Sequence, residues 1–205
     1  MLSLFGGPQR KAPLLHYLEL GSTDGEANVP FLISGTNPEC VVTSSLPLGL
    51  LQIGWGDLKQ AEITGNAVDE CIQLLQHAPR LTYLNLVDVV WPQFDQNPVL
   101  VSTTHRQLRH LGFSTDQGSS LGDAFFKAVT LPRLEHLSYY PQCPGDLNVE
   151  VLDVLIRRSD CPVKSLSFPT VESMGEEQFI HKHRNFNTLS FICSLAAPVT
   201  SLPKI

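Results

Sequence analysis

Hydrophobic residues recur along the chain in a short motif whose first, fourth and sixth positions are leucine or a similar residue. The clearest copy has Leu58, Ala61 and Ile63 at these positions and ends at Asn66, and the next copy starts at Leu81. The separation of the two starts lies within the period of about 20–29 residues known for the template L-x-x-L-x-L-x-x-N. The other copies are Leu81, Leu84, Leu86; Leu15, Leu18, Leu20; Leu108, Leu111, Phe113; Leu134, Leu137, Tyr139; Val163, Leu166, Phe168; and Val199 with Leu202.

The alternation within each copy predicts a β-strand that places its hydrophobic side chains on one face. The intervals that start at Leu15 and at Val163 are longer than the others, and they predict insertions. Within the first of these intervals, Leu48, Leu51 and Ile53 have the same apolar spacing. This spacing predicts an additional strand there.

Helices are predicted between the strands, because apolar residues there recur at intervals of three or four. Side chains that suit helix N-termini precede or open most of these segments. The predicted helices, with their expected capping residues, are 67–78 (Asn66), 121–129 (Ser120 with Asp123), 149–158 (Asn148), one that starts near Ser173 and Glu176, and 186–195.

Strands that alternate with helices predict an α/β fold with parallel strands, because each helix supplies the crossover that parallel strands need. The repeat period predicts a leucine-rich-repeat solenoid, a horseshoe with a parallel sheet on its concave side and helices outside. Residues 1–13 are expected to be an N-terminal segment, and residues 14–205 a solenoid that is incomplete at both ends. A doubly wound α/β sheet is the alternative, but the strands alternate and no G-x-G-x-x-G motif occurs.

Composition and charge narrow the possible partners. Hydrophobic residues make up 42% of the 205 residues and charged residues 17%, which is the balance of an ordered chain. The net charge of −6 argues against a nucleic-acid partner, and the longest basic cluster is the short segment 181–184. No stretch approaches the roughly 18 apolar residues of a membrane span, and the start lacks the apolar run of a signal peptide. We therefore expect neither nucleic acid nor membrane as a partner.

The five cysteines are an odd number, and no two of them form a C-x-x-C pair. Reduced thiols in apolar stretches behave as small hydrophobic groups, so a cytoplasmic or nuclear location is expected. Cys71 and Cys193 fall on the apolar stripes of predicted helices, which favours core thiols over nucleophiles. Neither a G-x-S-x-G nor an H-E-x-x-H motif occurs. We therefore predict that the protein is not an enzyme and has no cofactor.

The third and fifth positions of each motif are predicted to face away from the hydrophobic core, because side chains alternate along a strand. Aromatic and amide groups on a rigid sheet suit the binding of a protein, so we expect a protein partner on the concave sheet. The alternative is a solvated face whose residues reflect β-propensity. The predicted partner-binding residues, all at third positions, are Tyr17, Gln60, Tyr83, His110 and His136.

His110 and His136 are predicted to lie on adjacent strands, where two imidazoles are the beginning of a metal site. A zinc site requires three or four protein ligands, and the neighbouring third positions have no cysteine or carboxylate. We therefore predict no metal site.

Three stretches resemble the repeats of a known group of proteins. They are Val-Asp-Glu-Cys-Ile-Gln-Leu-Leu at 68–75 with Ala-Pro-Arg-Leu-Thr-Tyr-Leu at 78–84, Ser-Asp-Cys-Pro-Val-Lys-Ser-Leu at 159–166, and Trp-Gly-Asp-Leu at 55–58. From about residue 14 to residue 203, the chain resembles the leucine-rich-repeat region of the large F-box protein families of mushroom-forming fungi.

This resemblance implies the substrate-recognition part of a subunit of a Skp–cullin–F-box ubiquitin ligase, in which the repeats hold the target protein. The F-box itself, a helical segment ahead of the repeats, is not expected within residues 1–13, because this segment is too short to contain it. A Skp-type adaptor is therefore expected as a partner only if an F-box lies upstream. The alternative is a structural or scaffolding repeat fragment with no role in a ligase.

Overall fold

The computed structural model describes residues 15–21, 36–92, 100–141, 148–169 and 188–192, without the side chains of residues 119, 168, 169 and 188–192. Eight strands in these ranges form one parallel sheet, in which the strands follow one another in chain order. Their bounds are β1 Tyr17–Gly21, β2 Cys40–Ser44, β3 Gln60–Thr64, β4 Tyr83–Val87, β6 His110–Thr115, β8 His136–Pro141, β9 Ser165–Pro169 and β10 Thr188–Ile192. Two further strands, β5 Thr103–Thr104 and β7 Val129–Thr130, pair separately.

From β1 to β9, the carbonyl oxygen just before one strand of the sheet receives two N–H groups from the start of the next strand. The carbonyl oxygen of Lys59 accepts hydrogen bonds from the N–H groups of Thr82 at 2.8 Å and Tyr83 at 3.1 Å. The same paired arrangement is made by the carbonyl oxygens of His16, Glu39, Thr82, Arg109 and Glu135. Equivalent residues of successive motifs are therefore paired across the sheet.

The ends of three successive strands also repeat a backbone conformation. Ser45, Gly65 and Asp88 follow β2, β3 and β4 directly, and their φ angles are 56°, 74° and 51°. This left-handed region favours glycine, which occupies the middle position. A Cβ atom at Gly65 would lie 3.0 Å from the Oγ atom of Ser45, so this turn is closely packed against the preceding one.

Among the described residues, three helices cover the hydrophobic face of the sheet: α1 Val68–His77, α2 Ser119–Ala128 and α3 Val149–Ser159. They confirm the first three predicted helices to within two residues at each end. The predicted hydrophobic positions from Leu58 to Leu166 are buried, whereas Leu15 and Leu20 are only partly buried. Between α2 and the sheet, the ring of Phe113 stacks on Phe125 at a centroid distance of 4.7 Å. The α/β fold with parallel strands is therefore as predicted.

Arg158 joins α3 to the end of α2. Its guanidinium group donates hydrogen bonds to the carbonyl oxygens of Lys127 at 2.8 Å and Phe126 at 2.6 Å, and to that of Val129. Carbonyl groups in the last turn of a helix have no partner within the helix, and a cation there is favourable. A single side chain therefore satisfies several of these groups.

The predicted cap at Asn66 is wrong, because Ala67 occupies the N-cap position of α1 and makes no side-chain cap. The Asn66 amide instead donates to the carbonyl oxygen of Leu46 at 2.7 Å and to the Glu70 carboxylate at 3.0 Å. Asn66 is only 3% exposed, so its side chain connects α1 to the segment after β2.

The predicted capping box at Ser120 and Asp123 is also wrong, since Gly118 is the N-cap residue of α2. Asn148 is the N-cap residue of α3, as predicted, but its side chain does not cap the helix. Its amide donates to the carboxylate of Asp123 at 2.8 Å and thereby links the starts of α2 and α3. The side chains of Asn66 and Asn148 therefore form hydrogen bonds to a neighbouring unit and do not cap a helix.

Strand β2 was not predicted, because its inward positions are Pro38, Val41 and Thr43 and include no leucine. The strand predicted around Leu48 is a short 3-10 helix, Leu48–Leu50. With β2 in place, the long interval from Leu15 to Leu58 contains two motifs of ordinary length.

The helix predicted at 186–195 is wrong, since β10 occupies Thr188–Ile192 and pairs with β9. Phe186, Leu189 and Phe191 fit the strand motif, and the same apolar residues also fit a helical period. The predicted helix start near Ser173, the last predicted strand, and residues 1–13 lie outside the described ranges.

Substitution of Leu84 by alanine is expected to destabilise the protein by about 2–5 kcal/mol, as for other fully buried leucines. Asn85→Ala removes the next side chain of the same strand, which faces outward, and should change stability by no more than about 0.5 kcal/mol. Urea unfolding of the two variants measures both effects. An unchanged midpoint for Leu84→Ala would contradict the assigned faces of β4.

The side chain of His105 is buried beside the C-terminal end of α1, with 3% of its surface exposed. Its Nδ1 atom accepts the N–H group of Leu108 at 3.1 Å, so Nε2 carries the hydrogen and donates to the carbonyl oxygen of Ala78 at 2.9 Å. Burial lowers the pKa of His105, although the bond to Ala78 opposes this shift. The fold therefore requires the neutral imidazole.

Acid is expected to destabilise the protein through His105. Because the folded state has the lower pKa, this group stabilises the fold above the unfolded pKa of about 6.5, and the stabilisation is lost as pH falls through the folded pKa. Urea unfolding at pH 7 and pH 5 should show a steeper loss of stability in the wild type than in His105→Gln. Equal pH dependence in the two proteins would mean that His105 is not the acid-sensitive group.

Candidate functional site

The sheet face opposite the helices, called the outward face below, carries the predicted binding residues. The inter-strand pairing aligns their third positions in one row across the sheet. In order from β1 to β9, this third-position row contains Tyr17, Cys40, Gln60, Tyr83, His110, His136 and Ser165. All five predicted site residues therefore lie in one row, as their spacing predicted.

Tyr17 lies apart from the other predicted binding residues. Strand β2, which differs from the additional strand predicted around Leu48, places Cys40 between Tyr17 and Gln60, so Tyr17 is three strands away from Tyr83. Tyr17 is 48% exposed and its hydroxyl donates a hydrogen bond to the carboxylate of Glu19 at 3.0 Å. This hydrogen bond raises the pKa of Tyr17. Tyr17 thus belongs to a separate, acidic part of the face.

Three rings form a continuous surface in the middle of the row. The centroids of Tyr83 and His110 are 6.0 Å apart with an interplanar angle of 36°. His110 and His136 stack at 4.3 Å with an angle of 4°, on adjacent strands as predicted. All three side chains are half-buried. We call Tyr83, His110 and His136 the aromatic row.

The environment of His110 favours a neutral imidazole. Burial lowers the pKa of His110, and His136 and Arg109 lower it further, whereas Glu135 raises it. Glu135 itself forms ion pairs with Lys164 at 2.6 Å and with Arg109 at 3.7 Å. At neutral pH the centre of the row is therefore an aromatic surface with polar ring nitrogens.

The fifth positions of the motifs form a second row beside the aromatic row, called the fifth-position row. At one end of this row the side chains are small. Gly112 and Ser138 pair there, next to Ser167 on β9. A Cβ atom on Gly112 would lie 2.2 Å from the Oδ1 atom of Asn85, so the Asn85 amide lies close over the glycine backbone. The Asn85 amide can therefore occupy this position on the outward face only because Gly112 has no side chain.

Tyr140 is a residue of the outward face that the sequence interpretation missed. It lies two residues beyond Ser138 on β8, pairs in register with Ser114, and is half-buried. The repeat template ends at its sixth position, which is Tyr139 here, whereas β8 continues to Pro141. Alternation followed beyond the template would have placed Tyr140 on this face.

The other end of the fifth-position row is acidic. Glu19 on β1 and Glu62 on β3 lie on either side of Val42. Burial raises the pKa of Tyr83, and the negative charge of Glu62 raises it further. Glu62 is therefore close enough to influence the first ring of the aromatic row.

The described cysteines do not provide a reactive thiolate. Cys71 is fully buried, and burial raises its pKa, which agrees with the predicted core thiol. Burial raises the pKa of Cys161 to about 11. Cys40 lies half-buried in the third-position row, where burial and then Glu62 raise its pKa. Cys193 lies outside the described ranges.

A cavity of about 550 Å³ lies beside α1 and is lined in part by Gln76, Thr103, His105 and Arg106. The amide of Gln76 donates to the hydroxyl of Thr103 at 2.9 Å, and His105 is engaged by backbone groups as described above. These polar groups connect α1 to the segment that contains β5 and His105. Within the described part of the chain, no three His, Cys, Asp or Glu side chains are grouped as metal ligands.

Comparisons with protein-family models, with curated proteins and with solved structures found no match to this chain. Among the described residues, no helix is both long enough and apolar enough to cross a membrane. The geometry of the outward face is therefore the basis for assigning a function.

Native alkylation with iodoacetamide at pH 8 is expected to modify Cys40 slowly and to leave Cys71 intact. Both thiols have raised pKa values, but only Cys40 lies on an accessible face. Peptide mapping by mass spectrometry, with and without urea, measures both sites. Modification of Cys71 at the rate of Cys40 without urea would contradict the buried position of Cys71.

Proposed function

We propose that the chain is a leucine-rich-repeat solenoid that binds a protein partner on its outward, concave face and is not an enzyme. The observation that carries this proposal is the aromatic row, in which Tyr83, His110 and His136 are held side by side on three adjacent strands. Half-exposed rings on a rigid sheet bind a protein with little loss of side-chain entropy.

The order of the strands supports a solenoid. In a doubly wound sheet, the strand order reverses at a switch point, and ligands bind at that crevice. Here the strands are added in one direction from β1 to β10 in the same register, and each step from β1 to β9 has the same shared carbonyl. Each unit then buries its hydrophobic edge against its neighbours only, as in other repeat proteins.

The chemistry of the face supports a protein partner over a nucleic acid. The outward positions of the described strands contain no lysine or arginine, and the chain has a net charge of −6. Phosphate backbones are bound through such cations, so a nucleic acid would be repelled. Aromatic, amide and hydroxyl groups are instead the common components of protein-binding surfaces.

The resemblance to the fungal F-box proteins supports a more specific proposal. The outward face would hold the substrate of a Skp–cullin–F-box ubiquitin ligase, and a Skp-type adaptor would bind through an F-box upstream of the repeats. The described cysteines Cys40, Cys71 and Cys161 are free thiols, which fits a cytoplasmic or nuclear location.

A pull-down from a fungal lysate tests the proposed function. The double variant Tyr83→Ala/His110→Ala should recover at least about fivefold less partner than the wild type, since truncation of a central aromatic commonly costs more than ~1 kcal/mol of binding. Its melting temperature should be unchanged, because both side chains face outward.

The matched control is Gln73→Ala/Lys127→Ala, which truncates two exposed side chains on the helical side. This variant should recover the same amount of partner as the wild type. A partner retained equally by both double variants would show that binding takes place elsewhere. Loss of both binding and fold in Tyr83→Ala/His110→Ala would mean that the faces of β4 and β6 are assigned the wrong way round.

A further inference from the structure

The charges on the outward face are unevenly distributed. Across the described strands, its only formally charged side chains at neutral pH are Glu19 and Glu62, both in the fifth-position row. Both lie in the half formed by β1, β2 and β3, whereas the outward positions of β4, β6 and β8 include aromatic rings and contain no carboxylate, lysine or arginine. A partner that covers the whole face must therefore meet two carboxylates at one end.

The basic side chains nearest to the face are already paired with other acids. At the edge where the strands start, Lys59 pairs with Glu39 at 2.8 Å. Arg109 and Lys164 both pair with Glu135. Within the described ranges, neither Glu19 nor Glu62 forms an ion pair. Among the described residues, these two negative charges therefore have no cationic partner, which leaves them for a ligand.

Aromatic rings accompany both carboxylates. Tyr17 donates its hydroxyl hydrogen bond to Glu19, and Tyr83 lies on the strand next to Glu62. The negative charge of Glu62 contributes to the raised pKa values of both Tyr17 and Tyr83, so its field extends across β1 to β4. A carboxylate beside a tyrosine ring suits lysine or arginine, which is attracted by the charge and by the ring face.

The spacing of the two carboxylates fits an extended peptide that crosses the strands. Glu19 and Glu62 are two strands apart, which corresponds to about 9.6 Å. Three residues of a polyproline II segment advance about 9.3 Å and return the side chain to the same side. Two cationic residues separated by three positions therefore match the two carboxylates.

We propose that the partner of the outward face is a protein segment in extended, polyproline II-like conformation, with lysine or arginine at two positions three residues apart. These cationic side chains bind Glu19 and Glu62, and the segment continues across the aromatic row. The inference rests on the proposed function, since it names the chemistry of the partner of the same face.

Titrations of the full chain, followed by NMR at low salt and at peptide concentrations up to millimolar, test the inference. The probe is the peptide Pro-Lys-Pro-Pro-Lys-Pro-Pro. The first control, Pro-Pro-Lys-Lys-Pro-Pro-Pro, has the same composition with adjacent lysines, and the second has glutamate in place of both lysines. The probe should bind more tightly than either control and should weaken as salt is added, because exposed charge pairs are screened.

Glu62→Gln removes one carboxylate with little change of shape and should weaken binding of the probe by about two- to fivefold, the range for an exposed ion pair. Glu150→Gln removes the same charge from the exposed start of α3 and should leave the affinity unchanged. Equal affinity for the adjacent-lysine or the acidic peptide, no detectable binding, or no effect of Glu62→Gln would overturn the inference.

The proposed function is judged separately, by the same substitution in the lysate experiment. If the recovery of a partner depends on Tyr83 and His110 but is unchanged by Glu62→Gln, the inference of a segment with two cationic residues is overturned. The proposed function then remains in place. Recovery that is indifferent to all three residues would overturn both.

Discussion

From β1 to β9, the position of each strand depends on a carbonyl oxygen that precedes the neighbouring strand and accepts two consecutive N–H groups. Lys59, for example, holds Thr82 and Tyr83 in this way. A shift of β4 by one residue would break both bonds and would move every side chain to the opposite face. The same two bonds therefore bury Leu84 and turn Tyr83 outward, so the core and the binding surface are specified together.

The strength of the leucine pattern determined how much of the fold was predictable from sequence. Where leucine or a close substitute occupies the inward positions, as at Leu58 and Leu81, the strand, its faces and its row of outward residues were predicted. The pattern was uninformative at β2, because Val41 and Thr43 also suit an exposed strand. It was ambiguous before β10, where the same apolar residues fit a strand and a helix. The side chains of Asn66 and Asn148 act between units, and such contacts have no signature in local sequence.

The binding row was predictable for a different reason. Alternation along a strand and equal register between strands are enough to place Tyr83, His110 and His136 together. The separation of Tyr17 from this group depended on β2, and Tyr140 depended on the length of β8, which the template does not give. The distribution of charge on the face depends on which ion pairs form at the edge of the sheet. The sequence does not show which residues pair there. Exposed ion pairs of this kind add little to stability, so they influence the field of the face more than the stability of the fold.

The order of the strands in the sheet determines where local unfolding can start. Each strand is bonded only to the strands before and after it, so β6 lies far from either margin of the described sheet. Opening that starts at a margin of the described sheet must release several strands before it reaches His110. Amide hydrogens should therefore exchange with solvent slowest around the aromatic row and faster towards both margins of the described sheet. A partner that covers the whole face would then slow exchange most at these margins.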